Sequence, residues 1–296
     1  MKMTTREFIR VFGVGGAALA AGSYVGGSQS WLAGSGTLNV DYAGSSVADG
    51  VLTFDVPAGQ SVAYYTQLTA SITKIVKLGA GTAVISNDNN TAFSGTVEVR
   101  EGILEAQSGQ WGKIYTFGGK KANTITVSKG AQLRVRAPNS SPDQSTERFP
   151  NDLVIAGNGP DGRGALYLIK TSQPVSSGTS SSGNLDRIFT SVTLTDDASV
   201  SGTTRMGFAS GTVELNGHTF THRHSYNDNS QFIWTGATIK NGNVVAKNGS
   251  DMITQSSPSL KGSTANTFTC ESGSYFDLWG TTFGAFDWTL DRKSVV

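Results

Sequence analysis

The chain has 296 residues, among them 37 Gly, 7 Pro and one Cys, with 15% charged residues and a formal net charge of +1. That balance offers no electrostatic case for a nucleic acid or an anionic membrane surface as partner. The lone Cys270 excludes an intrachain disulfide and a cysteine-built zinc cage, and it is expected to act as a buried apolar filler. Abundant Gly, Ser, Thr, Asn and Val, with few Leu, fit turn-rich β structure.

Residues 1–21 read as an export signal. Lys2, Arg6 and Arg10 precede a short Gly/Ala-rich apolar run at 11–21, and Ala18-Leu19-Ala20 offers a small-x-small cleavage site. The stretch Thr5-Arg6-Glu7-Phe8-Ile9-Arg10 resembles a twin-arginine signal with one arginine of the pair, so Sec export stays open beside it. The apolar run is too short to span a bilayer. Residues 34–70 then alternate in three patches, at 37–40, 51–56 and 61–68, punctuated by 44–49 and by Pro57-Ala58-Gly59. They are expected to form the first rung or two of a stack, with an atypical end piece as a cap.

Residues 71–106 organise the chain. Ala83 and Ile85 share one face, and residues 86–91 are turn formers. Val97 and Val99 point one way while Glu98 and Arg100 point the other. Glu101-Gly102 reverses the chain, and Leu104 and Ala106 flank an outward Glu105. No run of this length builds a core alone, so the unit must stack on copies of itself. The segments Lys77-Leu-Gly-Ala-Gly-Thr-Ala-Val-Ile-Ser, Asn89-Asn-Thr-Ala-Phe-Ser-Gly and Thr96-Val-Glu-Val-Arg-Glu-Gly-Ile-Leu-Glu together resemble the autotransporter-associated β-strand repeat, with Ala83 where Leu is usual. The resemblance implies a right-handed parallel β-helix in a surface-displayed bacterial passenger. It implies no particular activity.

The same strand, turn, strand cadence returns at 123–135, 191–200, 211–221 and 267–278. One continuous all-β solenoid over residues 34–290 is therefore expected, with about ten rungs of roughly 20–25 residues stacked near 4.8 Å apart. Residues 138–151 and 172–184 lack alternation and read as loops thrown out from the rungs. Any binding groove is expected beside them.

Few constellations could carry chemistry. Gly157-Asn-Gly-Pro-Asp-Gly162 matches G-x-G-x-x-G, but Pro160 removes an amide and a strand-like run follows where a dinucleotide site needs a helix. A turn between rungs is the better reading. On a strand, His218, His222 and His224 point to one side with Phe220. His222 and His224, about 7 Å apart at Cα, could chelate an ion, with His218 too far to help; a solvated or stacked polar face is preferred. Asp196 and Asp197, as neighbours on a strand, are expected to point apart. Tyr275, Phe276, Trp279, Phe283, Phe286 and Trp288 either plug the last rungs or, if exposed, form a sugar-stacking platform; the plug is preferred. No residue is therefore assigned a catalytic, cofactor-binding or metal-binding role.

The resulting expectation is an exported passenger-type β-helix protein with a structural or adhesive role at the cell surface or outside the cell. Its partners would be surface glycans or host-cell molecules, with no nucleic acid, no cofactor, and membrane association only through an anchor or barrel; the chain is expected to be a monomer. The alternatives are a polysaccharide lyase or glycosidase of the same fold, and a carbohydrate-binding surface protein. Residues 1–33 would be signal and linker. Residues 291–296 match one reading frame of a common sequencing adapter, and are expected to be a non-native tail on a chain cut at Leu290.

Overall fold

The computed structural model describes residues 45–290 except 88, 108–113, 120–122, 138–148, 171–183, 204, 224–230, 235–236, 256–265 and 280–286. The export-signal and tail expectations fall outside the described residues. The first element, β1 (Ser45–Ala48), runs antiparallel to β2 (Val51–Asp55) through Asp49-Gly50, whose φ values of 50° and 76° make the left-handed pair a tight hairpin requires. Among the described residues every other named strand pairing is parallel.

From β2 onward the chain winds as a solenoid, as expected. Each rung lays one strand on a first sheet and the next on a second. The pairs are β2 with β3 (Ser61–Tyr64), β4 (Lys74–Leu78) with β5 (Thr82–Ile85), and β6 (Thr96–Val99) with β7 (Ile103–Gln107). β8 (Ile125–Val127) and β9 (Gln132–Ala137), then β10 (Leu153–Gly157) and β11 (Leu166–Lys170), continue both sheets.

The long β12 (Asn184–Gly202) bends through a third sheet and both of the others, with register breaks at the bends. β13 (Arg205–Glu214) and β14 (Thr219–Arg223) repeat that path, followed by β15 (Gln231–Trp234), β16 (Thr238–Lys240) and β17 (Asn243–Lys247). β18 (Asp251–Gln255), β19 (Thr267–Cys270), β20 (Tyr275–Trp279) and β21 (Asp287–Leu290) complete the second and third sheets. The rungs are less uniform than 20–25 residues. Residues hydrogen-bonded one rung apart are separated by 21 positions at Ser86–Gln107, 28 at Asn123–Asn151 and 39 at Asp152–Ser191.

Parallel register stacks like positions on like. One inward row runs Leu52, Ile75, Val97, Ile125, Leu153, Val192, Val213, Ile239, all buried. Val97, Val99, Leu104 and Ala106 are inward, and Ala83 and Ile85 share that face, as the alternation required. Beside the rows, rings climb the stack from Phe117 through Phe149, Phe189 and Phe208 at 6.0–6.3 Å between centroids. Phe149 and Asn151 correct the loop reading of residues 138–151: its C-terminal end is core. Burying one phenylalanine is worth about 2–3 kcal/mol, enough to hold the returning chain in place.

Buried asparagines satisfy the turns. Asn90 Nδ2 donates to Thr116 O at 2.8 Å while its Oδ1 accepts from Leu68 N. Asn123 Nδ2 donates to Phe93 O and Phe117 O, and Asn151 Nδ2 to Phe117 O and Asn123 O. Each amide thus ties one rung to the next, removing carbonyls that burial would otherwise orphan.

Candidate functional site

The outward face of the second sheet carries a charged cluster that alternation alone does not reveal. The row Val84, Glu105, Arg134, Tyr167, Ser201 faces away from the core, yet Glu105, Arg134 and Tyr167 are all buried. Glu105 was expected to face water; instead its carboxylate accepts from Arg136 Nε at 2.6 Å and from Arg134 Nη1 at 3.4 Å. Arg134 Nη2 donates to Gln132 Oε1 and lies 3.9 Å from Asp161. The Arg134 and Arg163 guanidiniums both sit against the Tyr167 ring, at 5.8 and 5.6 Å from its centroid. Desolvation pulls the Arg134 guanidinium below its usual range, with Glu105 and then Asp161 working against that shift. Its Nε has no hydrogen-bond partner among the described residues.

The glycine-rich turn supplies one wall of this cluster. It joins β10 to β11, both strands, so the dinucleotide reading fails and the turn reading holds. Asp161 Oδ1 accepts from Gln132 Nε2 at 3.1 Å and from Arg163 N at 3.0 Å, and Gly164 N closes the loop onto Asn158 O. Gly159 has φ +73°, and a Cβ there would lie 2.4 Å from Gly164 O, so the turn closes only with glycine. The glycines therefore aim Asp161 at the arginines rather than a phosphate at a helix.

A second set of charges climbs the first sheet. Lys74 Nζ is 2.5 Å from Glu98, which also accepts from Arg100 Nε at 2.8 Å. The hydrogen bond from Lys74 comes first among the effects holding the Glu98 carboxyl below its ordinary range. On the second sheet, Lys247 and Glu271 pair at 3.1 Å between later rungs. Lys77 is different: it occupies the inward row between Phe54 and Val99, fully buried. Its ammonium donates to Leu78 O and Gly79 O, each at 2.6 Å, and to Glu101 O at 3.2 Å. Burial lowers its pKa from 10.5 to about 8, against the pull of Glu101 and Asp55. The lysine that opens the repeat-like segment is thus a clasp on two turns.

The histidine expectation needs correction. His222 shares a face with Phe220, but that face is the core, not a solvated one. Val200, His222 and Ala246 form one inward row, and His222 Nδ1 lies 2.6 Å from Ser250 Oγ. His218 precedes β14 in a turn, where strand alternation does not apply, and its ring points to Asp197 at 3.9 Å. His224 lies outside the described residues. Asp196 and Asp197 also depart from expectation. They sit where β12 bends, and one ligand atom from each lies within 4.8 Å of the other and of His218.

Cys270 is buried as expected, its Sγ donating to Ser274 O and its thiol pushed up by burial. The terminal aromatics divide: Phe276 packs on the core 5.4 Å from Phe268, whereas Tyr275 is exposed. The side chains of Trp279, Phe283, Phe286 and Trp288 lie outside the described residues. Among the described residues no helix is long and apolar enough to cross a membrane.

Comparison with known proteins gives fold-level likeness no name: no family model, no curated protein and no solved structure matches the chain. The class defined here is therefore architectural, a parallel β-solenoid.

Proposed function

We propose that this chain is an exported, passenger-type β-solenoid with a structural or adhesive role and no catalytic centre of its own. The observation that carries this reading is the way charge is used on the outer faces. Lys74–Glu98–Arg100, Glu105 with Arg134 and Arg136, and Lys247–Glu271 each join neighbouring positions on the stack. Glycoside hydrolysis needs two carboxyl groups facing each other across a gap that admits a sugar. Glu105 is instead enclosed by guanidiniums, and Asp161 is held by Gln132 and by backbone of its own turn. An acidic group neutralised in this way stiffens a shaft. The repeat-like segment at 71–106 and the signal-like start support display outside the cell.

The test has two arms. The full chain is expressed in a Gram-negative host and the cells are fractionated; recovery of the chain in the periplasm or the medium, with loss of residues 1–21 from the mature product, is expected. An unprocessed chain recovered from the cytoplasm would overturn export. The purified chain is also incubated with acidic and neutral polysaccharides. No new unsaturated or reducing ends are expected, and their appearance would overturn the non-catalytic reading.

A further inference from the structure

We propose that Asp196, Asp197 and His218 form a surface site for a divalent transition-metal ion, best suited to Zn2+, which clamps two successive rungs. This inference is independent of export and adhesion. The three side chains come from two turns that parallel stacking brings together. Asp196 and Asp197 lie in the bend of β12, and His218 ends the turn before β14; Ala198 pairs with Phe220 just beyond them. Their ligand atoms all lie within 4.8 Å of one another, with Asp197 Oδ1 and His218 Nδ1 at 3.9 Å. Zinc bonds of about 2.0–2.2 Å in tetrahedral geometry place donors about 3.4 Å apart. Rotations of partly exposed side chains cover the difference.

The backbone has already positioned the donors. Asp197 N donates to Asp196 Oδ1, and Thr219 N to Asp197 Oδ1, both at 2.8 Å. His218 N closes its turn onto Leu215 O at 2.8 Å, through Asn216 and Gly217, which both have positive φ. Each carboxylate oxygen keeps a further lone pair for a metal. The position also already attracts a cation: Lys129 Nζ lies 2.7 Å from Asp196 Oδ2, and its side chain is 75% exposed, so leaving costs little. That contact raises the Lys129 pKa and lowers that of Asp196. Two carboxylates and one imidazole suit Zn2+ and its borderline neighbours, whereas Ca2+ needs six to eight oxygens.

The proposal makes lysine a competitor of the metal, so two substitutions must act in opposite directions. Titration of ZnCl2 into the purified full chain, read by calorimetry, is expected to show saturable one-to-one binding, with none for CaCl2 under the same conditions. His218→Ala and Asp197→Asn are each expected to weaken Zn2+ binding at least tenfold; His218 is half-buried and Asp197 exposed, and the far-UV spectra of both variants report whether the fold survives. Lys129→Met is expected to tighten binding several-fold. Wild-type protein that takes up no Zn2+, or His218→Ala with unchanged affinity, would overturn the site. So would loss of binding in His224→Ala with retention in His218→Ala, which would place the ion at the other histidines. Unchanged or weaker affinity in Lys129→Met would refute the competition.

Discussion

Replacing Lys77 by Met probes the least ordinary feature of the stack, a charged group in a core row. The ammonium is fully buried and held by three carbonyls, and its pKa of about 8 lies below the 10.5 of an unfolded lysine. Between those values the unfolded chain binds the extra proton, so stability must rise with pH across that window and level off above it. Below pH 8 both states are protonated and the burial penalty is complete. Linkage over this window gives a gain of at most about 2.5 kcal/mol between pH 7 and pH 10. Other groups also titrate there, so the quantity to measure is the difference between wild type and Lys77→Met. Both proteins are unfolded in urea at pH 7, 8, 9 and 10. The wild type is expected to gain on the variant as pH rises, by about 1–2.5 kcal/mol in all. Parallel pH profiles would refute the burial of a charged Lys77 between Phe54 and Val99.

Two further substitutions test other layers. Val99→Asp places an unpaired carboxylate in an inward row where Val99 is fully buried, and should cost several kcal/mol in thermal or urea unfolding; an unchanged melting temperature would contradict the assigned register. Glu105→Ala leaves Arg134 and Arg136 without their shared carboxylate, and should destabilise by about 3–5 kcal/mol, whereas Arg100→Ala on the exposed ladder should cost under about 1 kcal/mol. Equal losses from the two would show that the Glu105 cluster is solvated.

How far sequence reached depended on whether period-2 alternation governed the residue. It placed Val97, Val99, Leu104 and Ala106 in the core because each sits inside a short strand stacked in register. It failed for Glu105, which does alternate outward, because burial there comes from a neighbouring turn and neighbouring rungs rather than from its own strand. Lys77 was hidden because a charged residue at an inward position reads as a break in the pattern. The carbonyls that tolerate it belong to turns, one of them a rung away at Glu101. Strand geometry does not hold at His218, which is in a turn, or at Asp196-Asp197, which sit at a bend, so two carboxylates expected to point apart converge with that histidine. Phe149 and Asn151 escaped notice at the end of a polar segment. Their rows are visible only when Phe117 and Asn123 are known to lie beneath them.

Every one of these inferences depends on a single parallel stack, and distances along its outer rows test that directly. The row Thr53, Val76, Glu98, Thr126, Val154, Thr193 climbs five steps; the row Ala63, Val84, Glu105, Arg134, Tyr167, Ser201 also climbs five, and extending the Val200–His222 register by one residue carries it through Arg223 to Lys247, seven in all. At about 4.8 Å per step, the ends lie about 24 and 34 Å apart. Spin labels at cysteines replacing Thr53 and Thr193, or Ala63 and Lys247, in a Cys270→Ser background, allow both spans to be measured by pulsed electron resonance. A continuous solenoid predicts two narrow distributions, the second longer by about 10 Å. Equal spans, or a shorter one for Ala63 and Lys247, would contradict it.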